Sequence, residues 1–198
     1  MNLKGDLNVI AAGYGVPLLP DLLVTTLAPV PGAAVQAGSS VEPYGSQNWI
    51  QREVRHELVT LPYYGVFDNL AFRMEGNTVI LTGQVTKPTL KSDAEAAVRD
   101  IEGVDRVVNN IDVLPLSAND DRIRIATYRA IYYQPTLDHY ALQAVPPIHI
   151  IVNDGHVTLE GVVANQTDKD LAYLQAQTVP EVFSVTNHLR VESEPTGL

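Results

Sequence analysis

Leu70, Phe72 and Met74 alternate with Ala71 and Arg73, and beyond Gly76-Asn77 the alternation resumes through Val79, Leu81 and Gly83. A period of two places one side of a β-hairpin against a core and leaves the other side open. Ahead of the hairpin, Ile50, Val54, Leu58 and Leu61 recur at helical spacing and Pro62 closes the run, which predicts a helix from about Gln47 to Leu61. Behind it, Ala94, Ala97, Val98 and Ile101 stripe a second helix over about 90–101, with Thr89 as its N-cap and Gly103 past its end. Val107 to Val113 supplies a last strand. The order reads α-β-β-α-β.

The same sentence is then repeated. Val79-x-Leu81-x-Gly83-x-Val85 returns 78 positions later as Val157-x-Leu159-x-Gly161-x-Val163. Val104-x-x-Val107-x-Asn109-x-Ile111-x-Val113 returns at the same offset as Val182-x-x-Val185-x-Asn187-x-Leu189-x-Val191. A repeat this long means two copies of a small domain, since solenoid repeats run about 20–50 residues. The predicted class is α+β: two tandem α-β-β-α-β modules, each a small three-stranded mixed sheet with two helices on one face. They span 47–116 and 119–192, flanked by a segment 1–46 and a C-terminal tail 193–198.

In the second copy, Ile123, Thr127 and Ile131 take the places of Ile50, Val54 and Leu58, and Pro135 that of Pro62. Asp154-Gly155 is a strong two-residue hairpin turn. Pairing symmetric about it sets Val152 against Val157 and Ile150 against Leu159 on the core side. His149 then opposes Glu160 as an ordinary cross-strand pair on the open side, and Ile151 opposes Thr158. Thr167-x-x-Asp170 resembles a capping box for the next helix. Gly83 and Gly161 are expected where the chain passes close under that helix and a side chain would clash. Asn109 and Asn187, equivalent in the two copies, are expected to satisfy backbone groups in a turn.

These residues resemble the BON domain, a module of bacterial envelope proteins. The first copy carries its pattern at Val79, Leu81, Gly83, Val85, Ala97, Gly103, Val104, Val107, Asn109, Ile111 and Val113, and the second departs from it at Glu181, where a glycine is expected. The resemblance implies export to the periplasm, no catalysis, a part in envelope or osmotic stress, and association with anionic phospholipid or envelope proteins. In lipid-anchored relatives, contact with anionic lipid is attributed to the first helix of the second module. Carried over, that helix offers Arg122, Arg124, Tyr128, Arg129, Tyr132 and Tyr133; Arg suits phosphate and Tyr a headgroup boundary. The alternative is a protein–protein scaffold using the open sheet faces, with Ile80, Ile151 and Val162 as apolar points on otherwise polar surfaces.

Composition narrows the field. In 198 residues the net charge is −10, against a broad grip on nucleic acid or an anionic membrane. Cys is absent, which removes disulfides, thiolate zinc sites and the lipid anchor of those relatives. No apolar run reaches the ~18 residues of a membrane span. Within the first forty residues, Leu22 to Ala28 and Val35-Gln36-Ala37 outline a degenerate export signal, or else a flexible tail. His56, His139, His149, His156 and His188 fall in no metal spacing, no nucleophile motif is present, and no cofactor is expected. Oligomeric state is open.

Overall fold

The computed structural model describes residues 8–9, 45–143 and 145–192. Most of the segment read as tail or export signal, and the C-terminal residues 193–198, lie outside the described residues. Within them the elements are β1 (Asn8–Val9), α1 (Gln47–Val59), β2 (Asn69–Glu75), β3 (Thr78–Val85), α2 (Pro88–Arg99) and β4 (Arg106–Val113). The second module comprises α3 (Ala118–Tyr132), a 3₁₀ turn (Asp138–Leu142), β5 (Ile148–Asn153), β6 (His156–Val163), α4 (Gln166–Gln177), β7 (Ser184–Asn187) and β8 (Arg190–Val191). The α+β tandem is as the sequence predicts. β1, which the sequence does not signal, pairs antiparallel with Phe72 and Ala71 of β2 and makes the first sheet four-stranded.

Each sheet joins an antiparallel hairpin to a parallel last strand, β3 with β4 and β6 with β7 and β8. The second hairpin has the register expected from its turn, Val152 opposite Val157 and His149 opposite Glu160. Each core lies between sheet and helices: Ile50, Val54, Phe72, Leu81, Leu90 and Val98 in the first, Ile123, Ile131, Ile150, Leu159 and Ala176 in the second. The caps differ in detail from expectation. α2 starts at Pro88, suited to a first helical turn, and Thr89 caps nothing. α4 is capped two residues earlier than expected, by the Asn165 side chain accepting from Asp168 N at 2.8 Å.

The repeated glycines have a different reason from the predicted one. A Cβ on Gly83 would fall on the carbonyl oxygen of Asn69, and one on Gly161 on that of Pro147. The close approach is to the facing end of the hairpin rather than to the helix. The asparagines satisfy backbone as expected, though in the edge strand and not in a turn. Asn109 accepts from Ile111 N and donates to Lys91 O of α2; Asn187 accepts from Leu189 N and donates to Lys169 O of α4. Each ties an edge strand to its covering helix.

Gly103 turns the chain after α2 with φ of 91°, and the equivalent Glu181 adopts 67° with a side chain present. An L-residue there is strained by about 1–2 kcal/mol. Its exposed ion pair with Arg122, at 3.8 Å, returns little. Glu181→Gly is therefore expected to raise stability by about 0.5–1 kcal/mol after the entropy of the added glycine is counted. A shift of the urea midpoint upward at constant slope would bear this out; no shift would mean that Glu181 relaxes at no cost.

Candidate functional site

Two surfaces are candidates: the helix α3 and the seam where the modules meet. α3 runs beside the outer edge of β5, whose backbone groups need partners. Tyr132 Oη donates to Ile148 O at 2.6 Å and accepts from Ile148 N at 3.1 Å. Arg124 donates to Val152 O at 2.7 Å and to Asp121. Between them, Ile150 N donates to Val66 O of the first module at 2.8 Å. Asp120 holds the far end, accepting from Asp154 N and Gly155 N of the hairpin turn. Burial drives the Tyr132 hydroxyl pKa well above its ordinary value, so it stays protonated as a donor.

The six α3 residues singled out from sequence thus divide. Arg124 and Tyr132 are buried and spent on the β5 edge. Tyr128 is half-buried, its ring against Tyr132 at 4.7 Å and Phe67 at 6.3 Å. Arg122, Arg129 and Tyr133 are exposed. With Ile125, which sequence reasoning passed over, they fall at spacings that share one helix face. Tyr133 is 72% exposed and the Arg122 side chain 71%.

The first module carries an acidic groove beside α1. Trp49, Glu53 and Glu57 of α1, with Ala97, Asp100, Ile101 and Glu102, line a groove of about 340 Å³. Glu53 and Glu57 take the places of Ala126 and Ala130 on α3, and Trp49 that of Arg122.

The seam is formed by the loop before β2. Val66 and Phe67 pack against the second core, and Val145, equivalent to Phe67 in the repeat, packs against the first. The exchange is reciprocal. His149 is sealed beneath this loop, its ring 5.5 Å from that of Tyr64. It is not on an open face, and although Glu160 lies opposite it in the ladder as expected, the two side chains share no hydrogen bond. That carboxylate is held by His188 Nδ1 at 2.7 Å, and His156 Nδ1 meets Ser184 Oγ at 2.7 Å. Ile80 and Ile151, expected as exposed apolar points, are buried; Val162 is half-buried. That these faces are covered is a tertiary fact which strand alternation does not signal. Asp68 beside it is buried, its carboxylate accepting from Thr86 N and Oγ1 and from Gly65 N; burial nonetheless raises its pKa.

Among the described residues no group of His, Asp or Glu is arranged to hold a metal ion, and no helix is long and apolar enough to cross a membrane. Two small sheets with helices on one side, exchanging loops across a seam, define a tandem α+β protein. The chain belongs to the BON domain family, which it matches over residues 46–115 and 136–193. The second matched segment starts beyond α3. The family is an envelope-associated, non-catalytic binding type. No curated protein matches the chain. It is similar to a solved structure of CdsD, a structural protein of the type III secretion system of Chlamydia trachomatis, at 12% identity over 74% of this chain and 93% of that one, with a TM-score of 0.27. A structure of the CdsD C-terminal domain is 13% identical over 72% and 96%, with a TM-score of 0.25. Superpositions this loose carry no inference for this chain.

Removing the guanidinium of Arg124 leaves Val152 O short of a partner, whereas Arg122 supports nothing buried. Arg124→Met is expected to cost about 1–3 kcal/mol in chemical denaturation, and Arg122→Ser less than about 0.5 kcal/mol. Equal effects would contradict the division of the helix drawn here.

Proposed function

We propose that the chain is a non-enzymatic envelope protein whose second module rests on an anionic phospholipid surface through the outer face of α3. The observation that carries this is the exposed stripe Arg122, Ile125, Arg129 and Tyr133. Two guanidiniums can meet lipid phosphates while Ile125 and Tyr133 enter the headgroup boundary. The acidic groove of the first module favours contact through the second, because its four carboxylates would be repelled by an anionic surface.

Each arginine near an anionic membrane is worth about 1 kcal/mol. Two give a weak, salt-sensitive association. Arg122 also donates to Asn119 at 2.8 Å and lies 3.8 Å from Glu181, so part of its charge is already engaged. Family membership supports the envelope as the compartment, and we read it as the periplasm. The protein–protein scaffold is the weaker reading, since the seam occupies part of the sheet surface it would use.

Co-sedimentation of the full chain with vesicles tests the reading. Binding is expected to anionic but not neutral vesicles and to fall with added salt. Joint replacement of Arg122 and Arg129 by Ser should weaken it about tenfold or more, and replacement by Lys should retain most of it. Arg124 stays untouched so that folding is not at issue. Equal binding by the serine variant, or none by the parent, overturns the proposal.

A further inference from the structure

His149 occupies on β5 the place that Ala71 occupies on β2, and both are buried. An apolar residue fills the position in the first module without cost. In the second, a fully buried imidazole has no hydrogen bond of ordinary geometry at either nitrogen. A polar ring in such a place costs stability, so packing alone does not account for it.

The groups around it come from both modules. Tyr64 lies against the ring, its hydroxyl raised in pKa by burial, and the backbone of Gly65 and Asp68 faces the nitrogens. The Asp68 carboxylate is taken up by Thr86 and Gly65, with Lys87 near enough to act on it. Across the ladder, Glu160 is committed to His188. None of these forms an ion pair with His149. A proton gained here would create a charge with two N–H donors and no counter-ion, in a seam held by apolar contacts of Val66, Phe67 and Val145 and by the hydrogen bond from Ile150 N to Val66 O.

We propose that His149 is an acid-sensitive latch: neutral, it lets the first module's loop close on β5, and protonated, it parts the two modules. Burial is the main cause that pushes its pKa down to about 4 in the closed form. In the parted form it returns to about 6.5, the ordinary value. The closed form therefore binds fewer protons between these values. Closure is at full strength above about pH 6.5 and weakens about tenfold per pH unit as pH falls toward 4. Parting uncovers Val66, Phe67 and Val145 and frees Ile150 N, an apolar surface beside an unpaired strand edge.

The chain holds no Cys, so one label can be placed in each module without background. Ser92→Cys and Thr167→Cys, both exposed, would carry a donor–acceptor pair on the full chain. Energy transfer is followed from about pH 7.5 to about pH 4.5, with far-UV circular dichroism recorded alongside. Expected is a reversible loss of transfer below about pH 6 while the dichroism holds, and flat transfer in His149→Ala and His149→Gln. Constant transfer in the parent, the same midpoint in the variants, or loss only together with the dichroism overturns the latch. Should both variants fail to fold, the imidazole resonances of the parent decide: titration of His149 with an ordinary midpoint and no change in transfer also overturns it.

Discussion

The outer edge of β5 cannot be left bare, and the rest of the second module follows from how it is covered. A strand edge presents alternate N–H and C=O groups that need partners. Here they come from three sources: Tyr132 at Ile148, Val66 at Ile150 and Arg124 at Val152. Two belong to α3, which fixes that helix's rotation and so decides which arginines reach solvent. The third belongs to the other module, which makes the seam part of the sheet rather than a loose contact.

The sequence announces some of this and conceals the rest. Asp154-Gly155 pins the hairpin because a two-residue turn leaves one register, and all the pairings read from it are present. The 78-residue echo reveals the tandem because equivalent cores need equivalent side chains. Arg124 and Tyr132 resist such reading. Helical periodicity identifies Ile123, Thr127 and Ile131 as inward, but it does not tell that a strand edge lies alongside to claim their neighbours. His149 was misplaced for a related reason: alternation assigns it to a face correctly, yet whether another module covers that face is a tertiary fact. The cap of α4 was missed by two residues because Asn165 and Thr167 both make acceptable caps, and the fold chose the former.

Duplication has left the modules alike in backbone and unlike in surface. Where α1 carries Trp49, Glu53 and Glu57, α3 carries Arg122 and half-buried alanines at 126 and 130. Where the first copy keeps Gly103 and Ala71, the second has Glu181 and His149. The strand positions that close the cores stay apolar in both copies, as at Val79 and Val157 or Leu81 and Leu159, while these other positions differ.

The reciprocal placement of Phe67 and Val145 bears on how the chain comes together in time. Synthesis delivers the first module's helices and strands before residue 145 exists, so its core is complete in secondary structure yet short of one apolar plug. The second core awaits Val66 and Phe67 from a loop already made. Each half thus supplies an apolar side chain that finishes the other's core, and burial in each module is complete only once the seam has formed.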